Sequence, residues 1–249
     1  ITDVTADSRK VEKGSLFVCI KGASFDGHSV AEKMLEKGAV CVVCERDLGL
    51  DRQVIVDDTR KAFSPICASF YANPTKQLKL IGLTGTNGKT TTTTLISKML
   101  EAEGFKIFVG GNIGKALMPC LDEITENDIA VVELSSFQLL TMGNMVNRPD
   151  VAVVTNIECT HQDHHTSLDE YVDAKRNILI YQNSSQRTVL NADCDYSIGH
   201  SVYHDMRYDV RGKLYEFSIE HPVENGAYLD TQSGNILFAE NGKTTTVMN

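Results

Sequence analysis

The chain has 249 residues, with 24 Lys and Arg against 33 Asp and Glu, a net charge of −9; 42% of the residues are hydrophobic and 23% charged. This is ordinary globular composition, so disordered, collagen-like and low-complexity readings fall away. The acidic balance argues against a general nucleic-acid binder, which needs a basic face. No apolar run approaches the roughly 18–20 residues needed to cross a bilayer, and the charged first twenty residues do not read as a signal peptide. Neither nucleic acid nor a membrane is therefore expected as a partner. Seven cysteines, an odd number scattered mostly through apolar runs, read as reduced, buried thiols of a cytoplasmic protein.

The charge is uneven. Residues 1–78 hold 11 basic and 11 acidic residues, whereas 79–249 hold 13 and 22. An acidic segment handles phosphates when a divalent cation sits between the two. In chain order, 15–20 form an apolar strand run closed by Lys21-Gly22, and 30–37 carry helix spacing ended by Gly38. Residues 39–44 and 54–56 are further strands. Residues 58–71 read as a helix with Ala62, Phe63, Ile66 and Phe70 on one stripe, broken by Asn73-Pro74. Cys41 and Cys44 are three apart on a strand, which puts their sulfurs on opposite faces and predicts packing rather than a shared metal or disulfide.

A strand at 78–84 leads through a Gly-rich turn into a helix that Gly104 ends, and a further strand starts at 106. Residues 129–134 and 151–156 are buried strands, and 168–180 read as a helix. This strand–helix alternation predicts an α/β fold: a small α/β domain over 1–77, then a domain over 78–249 with a mostly parallel sheet. From about Arg187 short runs are separated by Ser233-Gly234-Asn235 and Glu240-Asn241-Gly242, which predicts an appended antiparallel meander.

Three places carry chemistry. Gly82-Leu83-Thr84-Gly85-Thr86-Asn87-Gly88-Lys89-Thr90-Thr91 follows a strand and opens a helix. Backbone N–H groups of Gly85, Thr86, Asn87, Gly88 and Thr91 suit phosphate oxygens, Lys89 reaches β- and γ-phosphates, and the Thr90 hydroxyl suits Mg²⁺. The strict G-x-x-x-x-G-K-[ST] spacing is not met, since Leu83 stands five residues before Gly88. Glu133, at the end of a parallel strand, points to the ligand crevice and suits a Mg²⁺ ligand. His161-Gln162-Asp163-His164-His165 follows another buried strand. This cluster fits either zinc or one histidine lent to a magnesium-phosphate centre, and the spacing supplies no partners for a structural zinc site. Lys175, read from spacing alone, is an ordinary helix lysine.

In combination, the loop 84–91, the Glu133 segment, the His161 segment and Ala174-Lys175 resemble the Mur ligases, the ATP-dependent amino-acid ligases of peptidoglycan precursor synthesis. Within that family, Gly111-Asn112-Ile113-Gly114 and Glu133-Leu134-Ser135-Ser136-Phe137-Gln138-Leu139 are similar to the D-glutamate-adding members. Asp7-Ser8-Arg9, residues 17–22 and Asp26-Gly27-His28 are similar to the UDP-binding domain of the members that add the third residue. The resemblance implies a P-loop central domain and a UDP-binding N-terminal domain, with the family's Rossmann-like third domain lying past residue 249. It implies ATP and Mg²⁺ as cofactors, a UDP-N-acetylmuramoyl peptide and an amino acid as substrates, and a monomer. The expected reaction adds D-glutamate through an acyl phosphate, with third-residue addition as the alternative. Lys89, Glu133, His161 and Lys175 are the implied catalytic residues. Thr90, Glu133, His161 and a carbamylated Lys175 are the implied Mg²⁺ ligands, and Ser8, Arg9, His28, Asn112, Ser135 and Gln138 the implied UDP-substrate contacts.

Overall fold

The computed structural model describes residues 1–22, 24–73, 78–113, 117, 120, 123–142, 148–158, 167–194 and 202–248, with the backbone alone at 141 and 202–205. The chain divides into two compact units, Ile1–Pro74 and Thr75–Asn249.

In the first unit, β1 (Asp3–Thr5), β2 (Ser15–Val18), β3 (Cys41–Cys44) and β4 (Gln53–Ile55) form a parallel sheet in that order, with helices α1 (Ala31–Lys37) and α2 (Thr59–Phe70). The central strands are apolar throughout because both of their faces are covered. Phe17, Val42 and Cys44 pack with Ala31 and Met34 of α1. Leu16, Val18 and Val43 pack with Phe63, Ile66 and Cys67 of α2. Cys41 and Cys44 fall into these two separate clusters, and the described cysteines are free thiols. Burial pushes the Cys19 thiol up to about 12 and that of Cys67 to about 11, which keeps both as inert packing groups. Asp58 caps α2 by accepting from the Lys61 amide.

The second unit contains β5 (Lys79–Thr84), β6 (Ile107–Gly111), β7 (Ile129–Glu133), β8 (Val151–Val154), β9 (Arg187–Asn191), β10 (Lys213–Ser218), β11 (Gly226–Leu229), β12 (Ile236–Glu240) and β13 (Lys243–Met248). They form one sheet in the order β13-β12-β11-β10-β9-β8-β5-β7-β6. Its helices are α3 (Lys89–Ala102), α4 (Ser136–Met142), α5 (Leu168–Arg176) and α6 (Val202–Asp209). Leu83, Val131 and Val153 pack with Ile96 and Leu100 of α3. Ala152, Val154 and Leu190 pack with Leu139 of α4 and Val172 of α5.

Two expectations are corrected. The antiparallel meander does not begin at Arg187: β9 pairs parallel with β8, β10 parallel with β9 and β11 parallel with β10, and antiparallel pairing starts only between β11 and β12. A parallel pair needs a crossover, and α6, in a polar stretch with little apolar periodicity, lies between β9 and β10 in the chain. The helix expected over 168–180 ends at Arg176. Ile178 and Leu179 follow in tight turns, donating to Lys175 O at 3.1 Å and Arg176 O at 3.0 Å, and both are buried in the core.

Candidate active site

β5 lies between β7 and β8, where the strand order reverses, so the carboxyl ends of these three strands border one crevice. The Gly-rich loop leaves β5 there and enters α3 at Lys89. Gly85 is the close-approach residue, with φ +152 and a position where a Cβ would stand 2.0 Å from Thr155 Oγ1. No side chain caps the start of α3, whose N-cap is Gly88. The first amides of the fourteen-residue helix thus present unmet donors and the positive end of its dipole to the crevice. Lys89 Nζ folds back onto Gly85 O and Thr86 O, each at 3.0 Å.

Thr90 Oγ1 donates to Glu133 Oε2 at 2.8 Å, and Asn112 Nδ2 donates to Glu133 Oε1 at 3.3 Å. Glu133 is 2% exposed, whereas Thr90 lies at the surface. Gly111 makes this corner possible. A Cβ there would stand 2.0 Å from Glu133 O, and the Asn112 amide donates to that same oxygen at 2.7 Å. A hydroxyl and a carboxylate oxygen in contact, open on one side, fit a small hard cation that keeps several waters and shares phosphate oxygens. Ser135 and Gln138 lock each other at the start of α4: Gln138 Oε1 accepts from Ser135 N and Oγ, both at 2.9 Å.

Lys175 comes from α5 and is 2% exposed. Its Nζ donates to Gly85 O at 2.7 Å and Thr84 Oγ1 at 3.4 Å and sits 4.5 Å from the centre of the Tyr171 ring. Burial first, and the neighbouring Lys89 ammonium second, pull its pKa down from 10.5 to about 7, against an opposing pull from Glu133. Both lysines therefore converge on the Gly85 carbonyl. A helix lysine that spacing alone reads as solvated is a buried group bonded to the Gly-rich loop.

Four residues that sequence reasoning gave no role also hold the loop. Asn156 Oδ1 accepts from Asn87 N at 2.8 Å and Thr86 N at 3.2 Å. Thr155 Oγ1 donates to Asn87 O at 2.7 Å. Glu158 N donates to Thr86 Oγ1 at 2.9 Å, Glu158 Oε2 accepts from Asn87 Nδ2 at 2.9 Å, and Tyr171 Oη lies 3.2 Å from Thr86 Oγ1. For Thr155, Asn156 and Glu158 the available signal was their place directly after a buried strand, whereas Tyr171 lies within α5; that this strand neighbours β5 follows only from the register. Asn156 also borders a small gap in the core among Val154, Ile157, Leu190 and Met206.

His161 lies outside the described residues, as do Asp163, His164 and His165; among the described residues no group of three His, Cys, Asp or Glu side chains gathers around a metal position. In the first unit, Arg9 grips Asp7 through Nε at 2.9 Å and a terminal nitrogen at 2.8 Å. That contact and the Arg9 amide hold the Asp7 carboxyl down at about 2. Ser8 is half-buried beside this pair, and its carbonyl accepts from Lys37. His28 is 4% exposed. Its Nδ1 lies 2.6 Å from Asp26 Oδ1 and its Nε2 accepts from Glu45 N at 3.0 Å. Both ring nitrogens are thus engaged within the protein, and His28 orders its turn.

Comparison with known proteins places the chain among relatives over almost its whole length. Residues 83–248 match the model of the Mur ligase middle domain, and residues 1–71 match a second model, described as Mur ligase family, catalytic domain. A UDP-N-acetylmuramoylalanine–D-glutamate ligase of Clostridium acetobutylicum is 44% identical over 163 residues, 66% of this chain and 33% of the relative. A UDP-N-acetylmuramoyl-L-alanyl-D-glutamate–2,6-diaminopimelate ligase of Bacillus velezensis is 38% identical over 220 residues, 78% of this chain and 45% of the relative. The chain thus spans less than half the length of these curated relatives. A solved 2,6-diaminopimelate ligase of the same kind superposes with TM-score 0.78 at 21% identity, over 100% of this chain and 55% of the other. A MurF ligase from Thermotoga maritima in complex with ADP superposes at 0.65 and 19%, over 99% and 57%. No described helix is long and apolar enough to cross a membrane. With two family models matching nearly end to end, over residues 1–71 and 83–248, and the Gly-rich loop, Glu133 and Lys175 gathered at one crevice, the chain belongs to the Mur ligase family.

Proposed function

We propose that this protein is an ATP-dependent ligase of peptidoglycan precursor synthesis that joins D-glutamate to UDP-N-acetylmuramoyl-L-alanine. The observation that carries the ligase reading is the Gly85 corner, where Lys89, Lys175 and the start of α3 surround one loop and Thr90 meets Glu133. In the proposed reaction the γ-phosphoryl group passes to the precursor's carboxylate, and the amine of the amino acid attacks the resulting acyl phosphate. Both partners of the first step are anions, so charge neutralisation and positioning dominate.

Lys89 turns from Gly85 O and Thr86 O toward the phosphates, and the free amides at the start of α3 receive phosphate oxygens. Thr90 and Glu133 would hold Mg²⁺, with Asn112 fixing the second Glu133 oxygen. Bound there, Mg²⁺ neutralises phosphate charge and orients the transferred group. His161 and an N-carboxylated Lys175 are proposed to support a second cation. A bare ammonium of pKa about 10.4 ligates no cation, whereas burial leaves much of Lys175 as the free amine that carboxylation requires. Asn112, Ser135 and Gln138 are proposed to face the muramoyl diphosphate end, and Ser8 and Arg9 the uridine end. Consumption of ATP and the lack of a disulfide among the described cysteines suit the cytoplasm.

D-glutamate is favoured by the Gly111–Gly114 and Glu133–Leu139 segments and by the higher identity to D-glutamate ligases. The longer aligned stretch shared with the diaminopimelate ligase, together with Asp7-Ser8-Arg9, favours addition of a diamino acid as the second reading. The test is mass spectrometry of the intact protein's product. D-Glutamate on UDP-MurNAc-L-Ala supports the first reading. A diamino acid joined only to UDP-MurNAc-L-Ala-D-Glu establishes the second.

A further inference from the structure

The tip of the phosphate loop carries a carboxylate that the ligase reading leaves without a task. Glu158 is exposed, and its Oε2 accepts from the side chain of Asn87, itself exposed at the loop tip. The backbone around it is fixed. The Glu158 amide donates to Thr86 Oγ1, the Asn87 amide donates to Asn156 Oδ1, and the Asn87 carbonyl accepts from Thr155 Oγ1. The carboxylate is thus held beside the place where phosphates would enter. Across the loop stands a second carboxylate, Glu133, but it is buried and bonded to Thr90 and Asn112. The two cations of the loop, Lys89 and Lys175, both bond the Gly85 carbonyl and not Glu158.

We propose that Glu158 is a specificity-determining residue that makes this site discriminate against metal-free nucleotide, so that the triphosphate enters as its magnesium complex. Free ATP carries about two more negative charges than its magnesium complex, and a fixed carboxylate at the loop tip repels the difference. A like charge held several ångströms away, at an intermediate effective dielectric, changes affinity by roughly five- to tenfold. An unproductive complex of ATP without Mg²⁺ is thereby disfavoured before chemistry begins. This inference rests on the nucleotide-binding reading of the loop.

The test measures the affinity of the intact protein for ATP by calorimetry, with Mg²⁺ and with a chelator, in wild type, Glu158→Gln and Glu158→Ala. Gln keeps an acceptor for Asn87 and removes only the charge. The expected result is that both variants bind metal-free ATP more tightly and the magnesium complex, which keeps about two negative charges, by a smaller factor, so that the ratio of the two affinities falls roughly five- to tenfold. A ratio within twofold of wild type in Glu158→Gln overturns the proposal. So does a Glu158→Ala protein that loses both forms equally while Glu158→Gln behaves as wild type, because Glu158 then only positions Asn87. If wild type binds ATP in neither condition, the nucleotide reading itself fails, a result distinct from an unchanged ratio.

Discussion

Lys89 and Lys175 share the Gly85 carbonyl, yet substitution separates their proposed roles. Lys89→Ala removes the group that reaches the phosphates but leaves the core untouched. The expected outcome is ATP turnover reduced by at least about a thousandfold with an unchanged circular dichroism spectrum; near-normal turnover would contradict the loop assignment. Lys175→Ala is also expected to be inactive, and a short-chain carboxylic acid that fills the vacated space is expected to restore part of the activity. A fully active Lys175→Ala enzyme would reject both carboxylation and any catalytic role. Unmodified Lys175 has a folded pKa near 7 against 10.5 unfolded. The unfolded chain therefore binds more protons between those values, and the penalty for burying the ammonium is full below about pH 7 and fades as pH rises. Thermal melts in CO₂-free buffer are expected to show wild type gaining stability relative to Lys175→Met between pH 7 and 9; a constant difference would contradict the burial argument. Lys89, Thr90 and Glu133 are legible in the sequence because residue type, spacing and strand-end position coincide. Lys175 is legible only through its resemblance, since nothing in helical spacing reports which face of α5 meets β5.

At the scale of elements, the segment after β8 acts as a template for the loop after β5. Thr155, Asn156 and Glu158 receive or supply most of the hydrogen bonds around Thr86 and Asn87. The apolar runs announce β5 and β8, but their adjacency is a fact of register, since β6 and β7 lie between them in sequence order. For that reason their place after a buried strand does not by itself tie the template residues to the loop. The close approach at Gly85 gives a direct check. Gly85→Ala puts a methyl 2.0 Å from Thr155 Oγ1 at a φ that disfavours L residues. It is expected to cost about 2–3 kcal/mol and to weaken nucleotide binding, measured by denaturant melts and calorimetry. Stability within about 0.5 kcal/mol of wild type would show that the loop has room the geometry denies. α4 was not legible either: its seven residues are too short for a periodic signal, and the Ser135–Gln138 lock identifies its start only in three dimensions.

At the scale of the molecule, the alternation of apolar strands and helices reads correctly as parallel α/β architecture, because buried parallel strands are apolar on both faces. The same rule explains the misplaced meander. The segments of β9 and β10 are more polar than the central strands, so they look like hairpin strands, yet both continue the parallel sheet. The Gly-rich loop emerges at the strand-order reversal of that sheet, and the reaction proposed there is transfer of the γ-phosphoryl group to a carboxylate. One measurement reads this most directly. The intact protein is supplied with ATP, Mg²⁺, D-glutamate and UDP-MurNAc-L-Ala carrying ¹⁸O in its terminal carboxylate, and the phosphate released is examined by ³¹P NMR. Transfer of one ¹⁸O into inorganic phosphate, with ADP as the other product, is the predicted result. Formation of AMP and pyrophosphate, or of inorganic phosphate free of the label alongside the ligated product, would contradict it.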